Sequence, residues 1–262
     1  MWTDSTPIQQ SEGNFPLSCD GKPDYKDRIT QCSVPDNRVL LPSGREMDLA
    51  AFPVLRHNRI LFVSEMPSYS LLSPNCASVH PFYGSTANVL ERAFYYMGLH
   101  HTYFSYTPLI RCWATLTYSH RNEDYETCLH HLKYFCEIAR PPVIISLGNV
   151  VTRHLLLPEI AYDNGKYRGD HTLRMEWSDK PYDSKVGVPV IPTKHPDNIV
   201  LVNCNSQINF KSICVDIMRA VRFASSIVPE YEDIASKMTV SLYERFYEEM
   251  IEAYKNDISK IK

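Results

Sequence analysis

The sequence predicts an α/β domain of three layers, with a central four-stranded, mostly parallel sheet between layers of helices. Three observations predict it. Four short apolar runs, at 59–63, 102–110, 143–147 and 188–191, alternate with segments whose apolar residues recur at helical spacing. The third run lies within PPVIISLG (141–148) and is apolar but for Ser146, as a strand buried on both faces should be. Helix stop signals, Gly98 and the pair Pro141–Pro142, fall just beyond two of the periodic segments.

Taken in order, residues 1–58 read as irregular: polar and proline-punctuated, with few periodic segments. RILFV (59–63) is a strand that ends in the turn SEMPS. Residues 69–83 form a loop containing Pro74 and Pro81, and a helix follows from Ser85 to Gly98 with Val89, Leu90, Ala93, Phe94 and Met97 inward. TYFSYTPLI (102–110), aromatic and β-branched, is the second strand. A helix over 124–139 turns Leu129, Leu132, Phe135, Cys136 and Ala139 inward. The third strand (143–147) leads to a short helix over 150–157, and 158–187, with Gly165, Gly169 and Gly187, reads as a long loop or hairpin insert. The fourth strand (188–191) runs into the turn TKHPDN, and helices follow over 208–224 and roughly 232–256. The chain thus divides into an irregular N-terminal segment (1–58), the α/β domain (59–225) and a C-terminal helical extension (226–262).

A chain of 262 residues buries a full core without disulfide staples. Its eight cysteines would suit a disulfide scaffold only in a much shorter chain. MWTDSTPIQQSEG has neither a basic nor an apolar targeting region, and no apolar run approaches the ~20 residues of a spanning helix. The expectation is a soluble, non-secreted protein of a reducing compartment. A formal net charge of −3 means that any basic surface is local, offset by acid such as that in EYEDIASKMTVSLYERFYEEMIEAY (230–254).

In a parallel sheet flanked by helices, the site lies beyond the carboxyl ends of the strands. That selects the turns at 64–68, 107–112, 148–149 and 193–198. Cys112 and Cys128, fifteen residues apart in the intervening sequence, can clamp one edge of an iron–sulfur cluster or a zinc ion if Cys19 and Cys32 complete the set. They can equally be ordinary buried thiols.

FVSEMPS (62–68), HPFYGSTANVL (80–90), YTPLIRC (106–112), Cys128, PPVIISLG (141–148), YRG (167–169) and PTKHPD (192–197) occur in the order and near the spacing of the uracil-DNA glycosylase superfamily motifs. The chain resembles that superfamily, its iron–sulfur family-4 enzymes in particular, over roughly 32–225. The resemblance implies a three-layer αβα fold, DNA binding (single strands included), and hydrolysis of the N-glycosidic bond of uracil or another altered base. Phe82 resembles the aromatic that stacks on the flipped base, although a Phe beside a turn can also be core. Met66 and Asn88 border the implied base pocket. Glu65 resembles the acidic residue that positions water or stabilises an oxocarbenium-like sugar; outside the motif it would read as a solvated turn carboxylate. His195 resembles the histidine that donates a hydrogen bond as charge develops on the leaving base. Pro196, Asp197 and Asn198 form the loop that enters the minor groove, and Lys166, Arg168 and Lys194 are the phosphate contacts.

The resemblance assigns a [4Fe–4S] cluster to Cys19, Cys32, Cys112 and Cys128, with zinc the lesser alternative. The family's fourth ligand sits three residues before Cys32, where this chain has Ile29, so Cys19 requires a loop lengthened to twelve residues. Cys76, Cys136, Cys204 and Cys214 have no family counterpart and read as structural.

The departures fall on the active site. Ser64 and Ser68 stand where the family has glycines, and Pro108 occupies the position of the asparagine that pairs with the uracil edge. Proline has neither a side-chain amide nor an N–H, so it cannot read a pyrimidine edge. Three functions follow: a divergent glycosylase, an inactive glycosylase-fold module that binds DNA or docks a protein, and an enzyme for a modified nucleobase. Ile234, Met238, Leu242, Phe246, Met250 and Ile251 give the C-terminal helix an apolar face. It either packs on the domain or contacts a partner or a second copy, with Tyr231, Tyr243, Tyr247 and Tyr254 on that surface.

Overall fold

A computed structural model of the chain describes residues 38–40, 46–48, 55–66, 85–110, 122–169, 173, 180–196, 206–237 and 248. Four strands form the central sheet: β3 (Ile60–Ser64), β4 (Phe104–Pro108), β5 (Ile144–Leu147) and β8 (Val190–Thr193). Their order is β4-β3-β5-β8, and every pairing is parallel. The expected sheet is therefore present, and its parallel character is complete.

Side chains alternate across the strands, so each strand feeds two cores. Ile60, Phe62, Phe104, Tyr106, Ile145, Leu147 and Ile191 face one layer, with helices α1 (Ser85–Met97), α5 (Ser206–Ser225) and α6 (Glu230–Lys237). Leu61, Val63, Ile144 and Val190 face the other, with α2 (Asn122–Ala139) and α3 (Asn149–Leu155). Aromatic stacking consolidates the first core: Phe62 lies 5.7 Å from Tyr106 and Phe94 lies 4.4 Å from Phe104, centroid to centroid. The helices expected over 85–98, 124–139, 150–157 and 208–224 appear within a few residues of their sequence limits; of the helix expected over 232–256 the structure describes Glu230–Lys237, and most of the rest lies outside the described residues. Among the described residues, no helix is long and apolar enough to cross a membrane.

Three details differ from the sequence expectation. Within 1–58, Arg38–Leu40 (β1) and Glu46–Asp48 (β2) pair antiparallel; three-residue strands are too short to show a period. The insert after α3 holds a hairpin, one of its two expected forms, of β6 (Tyr162–Asp163) and β7 (Lys166–Tyr167), turned through Asn164 and Gly165 at positive φ, and differs by the one-turn helix α4 (Pro158–Ala161) before it. The third difference is Tyr231. Instead of decorating a surface it is fully buried in the first turn of α6. Its hydroxyl accepts from the Ile60 N–H at 2.9 Å and donates to the Tyr103 carbonyl. A turn through Pro229 starts α6 early enough to place this residue under the amino edge of the sheet. Ile234 joins the same core, so the described part of the last helix packs on the domain.

Candidate active site

Strand β3 lies between β4, the next strand in the chain, and β5, which leads on to β8. The connections therefore diverge at β3 and β5, and in sheets of this kind ligands bind beyond the carboxyl ends of the strands at such a point. Glu65 and Met66 leave β3 at this edge, Gly148 leaves β5, and Lys194, His195 and Pro196 leave β8. The structure thus brings Glu65 and His195 to one edge of the sheet.

The Glu65 backbone is fixed by a continuation of the β3–β4 ladder. Leu109 N–H donates to the Ser64 carbonyl at 2.8 Å and Ile110 N–H to the Glu65 carbonyl at 2.9 Å. Ser64 tightens the turn by donating from Oγ to the Met66 carbonyl at 3.2 Å, and the Met66 side chain packs on the α2-side core. The Glu65 side chain is fixed from another direction: Tyr125, in the first turns of α2, donates its hydroxyl to Oε1 at 2.6 Å. The Tyr125 ring lies flat on the His154 imidazole, with centroids 4.1 Å apart and planes 4° from parallel. Burial and the phenol's bond to Glu65 push the Tyr125 hydroxyl well above its ordinary range, so it remains a donor at neutral pH.

Burial, reinforced by the Arg153 and Lys185 charges, pulls His154 down to about 4. The linkage has a definite sign. The native state refuses a proton that the unfolded chain accepts below about 6.5. Stability contributed by neutral His154 is complete above that pH and is lost as the pH falls towards 4. Urea denaturation of the wild type is expected to lose on the order of 2–3 kcal/mol across that window from this residue. His154→Phe, which keeps a ring beneath Tyr125, should flatten the slope.

His195 is half-buried and rests against the turn that closes β5. Gly148 has φ +88° and ψ 167°, a conformation essentially confined to glycine. A Cβ built there would stand 3.1 Å from the His195 Cβ. The turn is pinned on both sides: Gly148 N–H donates to the Thr193 carbonyl at 2.9 Å, and Thr152 donates from Oγ1 to the Gly148 carbonyl at 3.0 Å. Gly148→Ala therefore combines backbone strain with a displaced His195. It is expected to destabilise the fold by about 1–3 kcal/mol in urea denaturation and to slow any reaction that His195 assists.

The remaining expected site residues are placed as follows. Asn88 is exposed in the first turn of α1, and Lys166 is exposed on β7. Arg168 is half-buried and ties the hairpin to α4, donating from its backbone to the Ala161 carbonyl at 3.0 Å and from its guanidinium to the Ile160 carbonyl at 3.1 Å. Lys194 donates from Nζ to the Asn209 side-chain carbonyl at 2.5 Å, tethering the His195 turn to the start of α5. Pro196 is buried. Pro108 ends β4 opposite Ser64, at the edge of the sheet where a missing N–H breaks no ladder. Cys128 is buried in the core that also holds Leu109 and Ile110. Cys136 and Cys214 are buried as well, and burial pushes each thiol up to about 12, as structural cysteines require. Phe82, Asn198, Cys19, Cys32 and Cys112 lie outside the described residues. Among the described residues no group of three or more His, Cys, Asp and Glu side chains is arranged to hold a metal.

Sequence reasoning passed over Tyr125 and His154. The inward series Leu129, Leu132, Phe135 and Cys136 extends one turn back to Tyr125, so the period carried a signal for its burial. Nothing in the short α3 sequence marks His154 as the ring beneath it.

A family model described as the uracil DNA glycosylase superfamily matches residues 52–217, more than half of the chain. No curated protein matches it.

Proposed function

The chain belongs to the uracil-DNA glycosylase superfamily, and from that premise we propose that it binds DNA and hydrolyses the N-glycosidic bond of an altered base. The observation that carries this reading is the arrival of Glu65 and His195 at one edge of the sheet, each held by its own turn. In the proposed reaction the C1′–N bond breaks, water adds its oxygen to C1′, and the base leaves with the electron pair. Glu65 opposes the positive charge developing on the sugar and receives the proton of the attacking water. His195 donates a hydrogen bond to the leaving base as it becomes negative. Phe82 is the stacking face for the extruded base. Lys166, Arg168 and Lys194 are the cations for phosphate contacts, and Asn198, beyond the buried Pro196, is the loop contact to the minor groove.

The preferred base is not expected to be uracil. Pro108 supplies no amide, and the next two backbone N–H groups, of Leu109 and Ile110, are already donated to Ser64 and Glu65. Among the described residues, the backbone from Pro108 to Ile110 therefore offers no free donor to a pyrimidine carbonyl, and a site without such a partner loses discrimination. Excision from labelled oligonucleotides, single- and double-stranded, carrying uracil, hypoxanthine or other deaminated and modified bases tests both statements. Release of a base other than uracil as the fastest reaction is the expected result. Uracil as the fastest substrate would overturn the specificity argument. No release from any base would leave the second reading, a glycosylase fold kept for binding, which the Pro108 position favours.

The [4Fe–4S] cluster belongs to the same proposal, with Cys19, Cys32, Cys112 and Cys128 as its thiolates and zinc as the alternative metal. Of these four, the described residues include only Cys128, which is buried in the same core cluster as Leu109 and Ile110. The group would tie the chain after β4 to the N-terminal segment, a structural role. Bound iron with broad visible absorbance in anaerobically purified protein supports the cluster, zinc alone supports the alternative, and neither metal overturns the ligand set.

A further inference from the structure

Glu65 meets a second anchor that the glycosylase reading does not require. The turn after β3 already fixes its backbone through Ile110. The carboxylate is then held by a phenol from α2, sixty residues away in the chain. That phenol is itself constrained: Tyr125 is only 6% exposed, and His154, 7% exposed, covers its ring face. Arg153 stands beside the stack, its guanidinium 3.4 Å from His154 Nε2. The arrangement is a relay of contacts from α3 through α2 to the end of β3.

Resting on the glycosylase reading of Glu65, we propose that Tyr125 is a positioning residue. It binds one carboxylate oxygen of Glu65 so that the other is presented to the sugar or to the attacking water, and His154 keeps the phenol at the required angle. The physical argument is one of preorganisation. A glutamate side chain on a turn samples several rotamers, and each that points away from the reacting carbon lowers the effective concentration of the carboxylate there. A hydrogen bond to a charged acceptor is short and directional, and 2.6 Å is within the range of that class. Because the phenol donates a hydrogen bond but carries no charge, it orients the carboxylate without neutralising it. A lysine or arginine at the same place would neutralise the charge that is meant to oppose the oxocarbenium-like sugar. The near-parallel stack on His154 explains why the phenol cannot swing aside: rotation of the Tyr125 ring would lift it off the imidazole.

The experiment is a double-mutant cycle in single-turnover excision. It uses the full-length protein and the base that the wild type releases fastest, with oligonucleotide affinity measured in parallel. Tyr125→Phe keeps the ring and the stack and removes only Oη. It is expected to slow excision about tenfold or more, the scale of a lost hydrogen bond to a charged group, while leaving the oligonucleotide Kd within about twofold, since the phenol meets the enzyme carboxylate and not DNA. In a Glu65→Ala background the same substitution should cost nothing further. An unchanged rate in Tyr125→Phe, or an equal loss with and without Glu65, would overturn the assignment, because a purely structural contact acts whether or not Glu65 is present. If Tyr125→Phe does not fold, Glu65→Asp serves instead. Its shorter arm cannot keep both the Tyr125 contact and the carboxylate position, so wild-type activity in Glu65→Asp would equally overturn the proposal. A wild type that releases no base overturns the glycosylase reading and this role together; an active wild type with an indifferent Tyr125→Phe overturns the role alone.

Discussion

Alanine in place of His195 is expected to lower the single-turnover excision rate by about two to four orders of magnitude, the usual range for a positioned acid–base or hydrogen-bonding group. Glu65→Ala should fall in the same range. Both losses should appear in the chemical step, with oligonucleotide affinity changed far less, because each group meets charge that exists only as the glycosidic bond breaks. The two substitutions together should cost less than the product of the separate losses, since the carboxylate and the imidazole act on opposite partners of one bond cleavage. Release that persists in both single variants would remove these residues from the reaction and move the site elsewhere. The structural basis for the expectation is local. Glu65 is held in backbone and side chain by Ile110 and Tyr125, and His195 is held against a glycine that leaves room for it. Neither residue has the isolated, solvated setting of an ordinary turn side chain.

Much of this was legible in the sequence because it depends on period and punctuation. The apolar runs around Ile60–Ser64, Phe104–Pro108 and Ile144–Leu147 are buried at every position, and the helix spacing seen from Val89 to Met97 matches the buried face of α1. Once the strands were placed, the topology of a parallel sheet selected the turns that carry Glu65 and His195. What was not legible depends on contacts between distant segments. Tyr231 lies in a helix whose apolar pattern is the same whether it packs inward or outward, and only the turn at Pro229 decides that its hydroxyl reaches Ile60. The roles of Arg168 and Lys194 were also hidden. A cation in a loop looks free in sequence, yet these two have carbonyl partners that fasten the hairpin and the His195 turn. A phosphate contact by either side chain must therefore share it with that fastening.

Asp216→Ala is expected to produce the largest loss of stability in the described fold. Asp216 is fully buried on α5, amid an apolar run that gives no hint of a carboxylate's purpose. It accepts from the Thr193 hydroxyl at 2.6 Å and lies 3.5 Å from the guanidinium of Arg219, which is only 4% exposed. Removing one member of a buried ion pair takes that member's compensation from the other charge, whose desolvation is then less well offset; such changes cost about 3–5 kcal/mol. The same substitution deprives the Thr193 hydroxyl of its acceptor. Urea denaturation should show a lower midpoint at an unchanged m-value, the signature of lost stability rather than an altered unfolded state. Asp216→Asn separates the two contributions, since its side-chain carbonyl can still accept from Thr193 while the charge opposite Arg219 is gone. It should recover part of the loss and no more. A midpoint within experimental error of wild type for Asp216→Ala would mean that Arg219 relaxes to solvent and that the pair carries little of the fold. The consequence reaches the site because Thr193 ends β8 two residues before His195. The carboxylate that stabilises α5 against the sheet also fixes the start of the turn that presents the imidazole. In Asp216→Asn, where the fold is retained, the excision rate should therefore fall less than in His195→Ala but measurably below wild type. Equal activity in Asp216→Asn and the wild type would show that an uncharged acceptor for Thr193 is enough to hold the start of the His195 turn.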